Sequence, residues 1–337
     1  MKIDMVNWAR DIMKSNKRFS MPIMTHPGIE GIGENVYNAV TNPNVHYAAV
    51  KYLAEKFDSI ASTVIMDLTV EAEAFGMHIS FSQDEVPNII GRLVFDDVTI
   101  SALEVPSLES ARIPVYIKAT SLMAHNLNKP IIAGCIGPFS LAGRLYDMSE
   151  IMIALYINSK SIKELLEKCT FFIIKYCNKL KEVGANGVML AEPASGLLSN
   201  EQCREFSSVY IKKIIDAVQD ETFSVILHNC GNRGHCTSAM VYTGAAGYHF
   251  GNTIDIVQAL NECPKTALVM GNLDPVVLFK SSEPEVVYEA TSRLLNLTKY
   301  YPNFVISSGC DIPPKTSMNN INAFFSAVNN FNSNINR

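Results

Sequence analysis

The chain has no excess of basic residues. Its 28 Lys and Arg stand against 33 Asp and Glu, a net charge of −5, which argues against a general nucleic-acid binder. It has no apolar run of membrane-spanning length. The run Thr170-Phe171-Phe172-Ile173-Ile174 is stopped by Lys175, so no membrane association is expected. The N-terminus, Met1-Lys2-Ile3-Asp4-Met5, lacks the apolar core of a signal peptide. The eight cysteines lack the regular spacing of a disulfide scaffold. They read as reduced thiols of a cytoplasmic protein, some of them available as ligands. There is no internal repeat, no low-complexity segment and no linker. Gly28, Gly31 and Gly33 are too loosely arranged for a nucleotide fingerprint.

What is present is a recurring strand followed by a helix. Apolar runs at 21–25, 61–67, 130–135, 186–191, 223–229, 246–250, 267–271 and 304–309 read as eight strands. Most are continuous rather than alternating, as parallel strands covered on both faces should be. Between them, Ile162, Leu165, Leu166, Cys169, Phe172, Ile173, Tyr176 and Leu180 recur at helical spacing. Segments 43–57 and 316–330 are helical by the same pattern. Ser199 with Gln202, and Ser282 with Glu285, look like capping boxes. Eight alternating units predict a TIM (β/α)8 barrel filling residues 1–337 as one domain. An open doubly wound sheet is the alternative. Segment 71–129 is too long for a simple connection, and 77–100 is expected to make a short β-excursion over the barrel mouth after the second strand.

A barrel gathers its reactive residues at the C-terminal ends of its strands. There the sequence places His26, Asp67, Glu192, His228, Cys230, Asn252, Asn272, Asp274, Cys310 and Asp311. His228 and Cys230 are two apart at the end of a strand, so they share a face. One imidazole and one thiolate make half of a soft-metal site, and Cys310, at another strand end, is the candidate third ligand. Three protein ligands leave a fourth position for substrate. His235 and Cys236, adjacent in a loop, are a competing metal pair. Two thiolates and one imidazole make zinc electron-rich, which suits a thiol held as nucleophilic thiolate better than an activated water.

The carboxylates divide. Asp67 is a candidate catalytic or orienting acid, with a helix N-cap as its alternative. Glu192 is a candidate catalytic group or exchangeable metal ligand. Its alternative is a buried acid bonded to backbone amides. Glu71 and Glu73 read as solvated or loop-structuring. His26, Asn272 and Asp274 are candidate substrate contacts, although Gly271-Asn272-Leu273-Asp274-Pro275 also reads as a simple strand-ending turn.

Several of these stretches carry a family likeness. They are Met66-Asp67-Leu68-Thr69-Val70-Glu71-Ala72-Glu73-Ala74-Phe75-Gly76, Gly137-Pro138-Phe139-Ser140-Leu141-Ala142, His228-Asn229-Cys230-Gly231, Gly271-Asn272-Leu273-Asp274-Pro275 and Gly309-Cys310-Asp311-Ile312-Pro313-Pro314. In them the chain resembles the uroporphyrinogen decarboxylase superfamily, and within it the corrinoid-dependent methylcobamide:coenzyme M methyltransferases. The resemblance implies a TIM barrel and a zinc triad at His228, Cys230 and Cys310. It also implies a small thiol acceptor, such as coenzyme M or homocysteine, and a methylcobamide donor on a separate corrinoid carrier protein. The decarboxylase branch is the rival. It needs no metal and pairs a polyacid with arginines near the N-terminus. The corresponding Met21-Pro22-Ile23-Met24-Thr25-His26-Pro27-Gly28 has no Arg, and Cys310 stands where that branch has a late His. A barrel that binds corrinoid or thiol without turnover is a further alternative.

Overall fold

The structure is a computed structural model and describes residues 3–335. Its centre is a parallel sheet of seven strands. In chain order the strands are β1 (Ser62–Thr63), β2 (His78–Ser80), β3 (Asn88–Ile90), β4 (Ile131–Ile136), β5 (Gly187–Ala191), β6 (Ser224–Asn229), β7 (Gly247–Phe250), β8 (Leu268–Leu273) and β9 (Phe304–Ser308). The sheet runs β1-β4-β5-β6-β7-β8-β9, each pair parallel. Helices follow the strands on the outside, as right-handed crossovers require.

The eighth stave is the segment around residues 20–24, and it closes the ring. Ser20 forms a parallel bridge with Ile306. On the other side, Ile60 N–H donates to Ser20 O at 3.0 Å. A closed ring excludes the open doubly wound sheet. The segment expected as a full strand at 21–25 is held mostly by side chains. Pro22 has no N–H to give a ladder. Two main-chain bonds remain, from Met21 N–H to Ile306 O and from Ile312 N–H to Ile23 O (both 3.0 Å), and serines add to them. Ser307 Oγ donates to Met21 O at 2.7 Å, and Ile23 N–H donates to Ser308 Oγ at 3.0 Å. The strand expected at 61–67 is likewise short. After Thr63 the chain leaves the ladder, with one further bond from Val64 N–H to Ile132 O.

Strand alternation divides the barrel into inside and outside. Ile132, Met189, Ile226, Met270 and Val305 form one buried cluster, joined by Met21 and Ile23 from the first stave. They fill the interior as a solid floor. Met5 and Ile12 of the helix Met5–Lys14 belong to the same cluster. The opposite strand faces pack against the helices in a second, larger cluster that includes Val188, Leu190, Val225, Leu227 and Phe304.

The excursion is real. β2 and β3 pair antiparallel, with His78 opposite Ile90 and Ser80 opposite Asn88. The box at Ser199 and Gln202 forms as expected. The one at Ser282 does not. Pro284 fixes the first helical position, so Glu283 becomes the cap and Ser282 Oγ donates to Val277 O instead. The long helix Ser159–Glu182 buries the apolar stripe read from the sequence. Among the described residues, no helix is long and apolar enough to cross a membrane.

Candidate functional site

β6 carries Ile226 inward to the floor, and His228, two residues on, also faces inward above it. The chain then turns and presents Cys230. Cys310 follows β9. Among the described residues, His228, Cys230 and Cys310 are the one group able to hold a metal, with ligand atoms all within 4.8 Å of one another. Cys310 Sγ lies 3.9 Å from His228 Nε2. A tetrahedral zinc spaces such atoms by roughly 3.5–3.8 Å, so small side-chain adjustments complete the set. Close backbone packing behind the ligands depends on glycine. A Cβ on Gly251 would sit 2.8 Å from Cys230 Cα, and one on Gly309 would sit 2.6 Å from Asn252 N.

Two thiols this close contend for one proton. The Cys230 thiol is brought down to about 7, chiefly by the hydrogen bond from Cys310 and against its burial. Cys310 is pushed up, first by that same bond and then by burial, with His228 acting the other way. The pair on its own gives one thiolate readily and a second only with difficulty. A soft divalent cation supplies the missing counter-charge, which is the condition for holding both as thiolates.

The imidazole is also set for this role. In parallel register His228 lies beside His249 of β7, and their Nδ1 atoms are 2.8 Å apart. His249 Nε2 is 2.8 Å from Ser307 Oγ. The Ser307 hydroxyl already spends its proton on Met21 O, so it accepts from His249 Nε2–H. His249 Nδ1 is then bare and accepts from His228 Nδ1–H. That leaves the His228 Nε2 lone pair turned toward the sulfurs. Burial, and then His228, hold His249 well below the usual imidazole range, so it stays neutral. His249 gave no sign in the sequence, because its pairing with His228 is a matter of strand register.

The three donors line a cavity of about 210 Å³ at the C-terminal ends of the strands. Its other walls are mainly apolar, with Ile23, Met66, Leu68, Ala191 and Pro193. Val86, Pro87 and Asn88, from the approach to β3, cover one side. Thr69, Asp311 and Arg144 are its remaining polar residues.

Asp67, Glu192, Asn272, Asp274 and His26 are engaged elsewhere, and none of them lines this cavity. The Asp67 side chain is wholly covered and ion-paired to Arg112 Nη1 at 2.5 Å. It also accepts from Thr69 N–H and Oγ1, and Arg112 binds Glu73 and Thr69 besides. Glu192 is completely buried and follows its alternative reading. It accepts from Phe139 N–H (2.8 Å), Ser140 N–H (2.9 Å) and Ser207 Oγ (2.9 Å). It thereby ties down the start of the helix Pro138–Tyr146. Burial raises its carboxyl, and these bonds oppose the rise.

Asn272 donates to Gly251 O and Ile254 O. Asp274 accepts from Asn252 at 2.6 Å and from Val276 and Val277 N–H. Both therefore fasten the loop after β7. His26 is buried at the start of the helix His26–Gly31, where it faces Asp311. Glu71 corrects the expectation of a solvated acid. It is 2% exposed and accepts from Ile136 N–H at 3.0 Å. Glu73 is paired with Arg112. The competing loop pair does not assemble. His235 reaches Gly196 O, while Cys236 donates to Ser195 O and Leu198 O. Arg112, in the turn before the helix Ile113–Asn126, and Arg144 were missed in the sequence, since single basic residues carry no pattern.

Comparison with known proteins supplies the lineage. Two methylcobamide:CoM methyltransferases named MtbA, from Methanosarcina acetivorans and Methanosarcina mazei, are 29% and 28% identical to this chain over 300 residues. The matches cover 86% of this chain and 87% of each relative. A uroporphyrinogen decarboxylase from Cellvibrio japonicus is 26% identical over 300 residues, covering 86% of this chain and 83% of its own. A solved methyltransferase from Methanosarcina mazei superposes with a TM-score of 0.87 over 96% of this chain and 97% of its own. Its sequence is 22% identical, so the likeness speaks to the fold. With the uroporphyrinogen decarboxylase (URO-D) profile matching residues 30–331, the chain belongs to that family.

Proposed function

We propose that this protein is a zinc-dependent methyltransferase. It moves a methyl group from a methylated corrinoid, carried by a separate protein, to a small thiol such as coenzyme M or homocysteine. The observation that carries the reading is the convergence of His228, Cys230 and Cys310, with ligand atoms within 4.8 Å, on one wall of a small cavity at the barrel mouth. The MtbA relatives support the same reaction class.

His228 Nε2 and the two sulfurs would hold the metal, and zinc there supplies a charge that keeps an incoming thiol deprotonated at neutral pH. The chain's own residues do the rest. His249 and Ser307 keep the proton on His228 Nδ1, away from the metal side. The apolar walls at Met66, Leu68 and Pro193 exclude water from the sulfur. At about 210 Å³ the cavity is below the usual roughly 300–1,000 Å³ of drug-sized sites. It admits a short thiol but not a tetrapyrrole, so the donor meets the acceptor from outside, at the mouth. We assign Asp67, Glu192, Asn272, Asp274 and His26 to holding the walls and loops of this site.

Metal analysis of the purified protein tests the reading. About one zinc per chain is expected, lost in Cys310→Ser along with methyl transfer from methylcobalamin to thiol. A metal-free protein that decarboxylates uroporphyrinogen would refute it.

A further inference from the structure

The end of the barrel opposite His228, Cys230 and Cys310 carries a buried cation without a counter-ion. Two cavities, of about 410 and 420 Å³, lie there and have one residue in common, Arg18. Ile60, ahead of β1, lines the first, and Pro302, ahead of β9, lines the second. Neither shares a residue with the cavity at the barrel mouth.

Arg18 is 8% exposed. Its main chain is pinned by the last helix, Met318–Ile335. Asn332 Oδ1 accepts from Arg18 N–H at 2.6 Å, and Asn332 Nδ2 donates to Arg18 O at 2.9 Å. The guanidinium itself is barely engaged. One nitrogen, Nη2, donates to Lys299 O, while the covered Nε has no acceptor. Among the described residues no carboxylate pairs with it. Ser20 Oγ, covered beside the first cavity, is also without a partner. Burial lowers the Arg18 pKa, and no nearby acid opposes the shift. A five-donor cation taken out of water with one bond made is costly unless an anion meets it.

The surroundings are basic, in a chain whose net charge is −5. Lys17 lines the first cavity, and Lys14 and Lys299 line the second. None of the three makes an ion pair among the described residues. Asp58 is the one acid lining either cavity. Its side chain is 91% exposed and pairs with Lys129 instead, at 3.9 Å. A planar fork ringed by three ammonium groups suits an anion of more than one charge better than a single carboxylate. Tyr300 and Phe331 in the second cavity offer surface for an organic body.

We propose that Arg18 is the centre of an anion site at the foot of the barrel, which takes free phosphate or the phosphate group of a small ester. The phosphate oxygens accept from the guanidinium donors that Lys299 O leaves over, and the three lysines supply the outer charge. The bound anion ties the start of the first stave to the segment before β9. The site is independent of the methyl-transfer reading and stands or falls without it.

Calorimetric titration of the full chain at low ionic strength tests it, with inorganic phosphate, phenyl phosphate and acetate as probes. Both phosphates are expected to bind about 10-fold or more tightly than acetate. Phenyl phosphate binding more tightly than inorganic phosphate identifies an ester as the ligand, and the reverse identifies the free ion. Arg18→Gln should weaken both phosphates by about 10- to 100-fold, and Arg18→Lys by less. Saturating phosphate should raise the melting temperature of wild type and leave that of Arg18→Gln unmoved. Because Arg18 is buried, the exposed double variant Lys17→Gln/Lys299→Gln gives a second test. It should melt like wild type without phosphate and bind phosphate about 2- to 10-fold more weakly. No binding of either phosphate at millimolar concentration, equal affinity for acetate, or phosphate affinity unchanged in Arg18→Gln or in the double variant overturns the proposal.

Discussion

Removal of the Ser307 hydroxyl is a sharp test of how the site is held. Ser307, His249 and Met21 are all fully buried. In Ser307→Ala the Met21 carbonyl loses its donor and His249 Nε2–H its acceptor. Each buried group left unpaired costs about 1–3 kcal/mol, so the metal-free protein should lose roughly 2–6 kcal/mol in urea unfolding. A second effect is separate. Without the serine acceptor, His249 is free to move its proton to Nδ1. His228 must then accept at Nδ1 and carry its own proton on Nε2, where the metal would bind. Loss of such an orienting partner typically weakens metal affinity about 10- to 100-fold. Competition against a chelator of known affinity near neutral pH measures this directly. Zinc affinity within threefold of wild type, alongside the expected loss of stability, would show the hydroxyl to be a strut and the proton ordering irrelevant.

Other perturbations follow from the buried charges. Burial pushes Glu71 up to about 7 from 4.5. The folded chain then keeps a proton that the unfolded chain has released. The resulting cost is absent below about 4.5, grows as pH rises, and is complete above about 7. Glu71→Gln, which retains an acceptor for Ile136 N–H, should therefore stabilise the protein by up to about 3 kcal/mol at pH above 7 and by little near pH 4.5. Urea unfolding across that range checks the slope, and a pH-independent difference would be inconsistent with it. Arg112→Met leaves Asp67 buried and unpaired and should cost about 3–5 kcal/mol. The double variant Arg112→Met/Asp67→Asn should recover part of that loss in the same assay, and no recovery would mean that the pair is not the source.

The sequence made the cluster of His228, Cys230 and Cys310 visible because each lies at or just past the end of an apolar run, and a parallel strand covered on both faces must be such a run. β5, β6 and β9 lie within the expected ranges for that reason. The first stave was harder to read. Pro22 removes the ladder donor, and the serines that replace it come from the far end of the chain. His249, Arg112 and Arg144 were out of reach for a related cause. Their roles depend on which strand lies beside which and on the cavity those strands surround, and neither is written in local periodicity. Glu192 shows the converse. Its place at a strand end was legible, but whether it meets substrate or backbone amides depends on a helix that begins 54 positions earlier, at Pro138.

The seam between the first stave and β9 is fastened differently from the other seams of the barrel. Between β4 and β9 the hoop is riveted by main-chain amides, while here two hydroxyls share the clasp with a few main-chain bonds. Local opening in proteins starts where fewest bonds must part together, so deuterium should enter at Ile23 before it enters at Ile226 or Leu190. Cys310 hangs two residues beyond that clasp, and breathing there would loosen one sulfur while the imidazole and the other sulfur stayed in place.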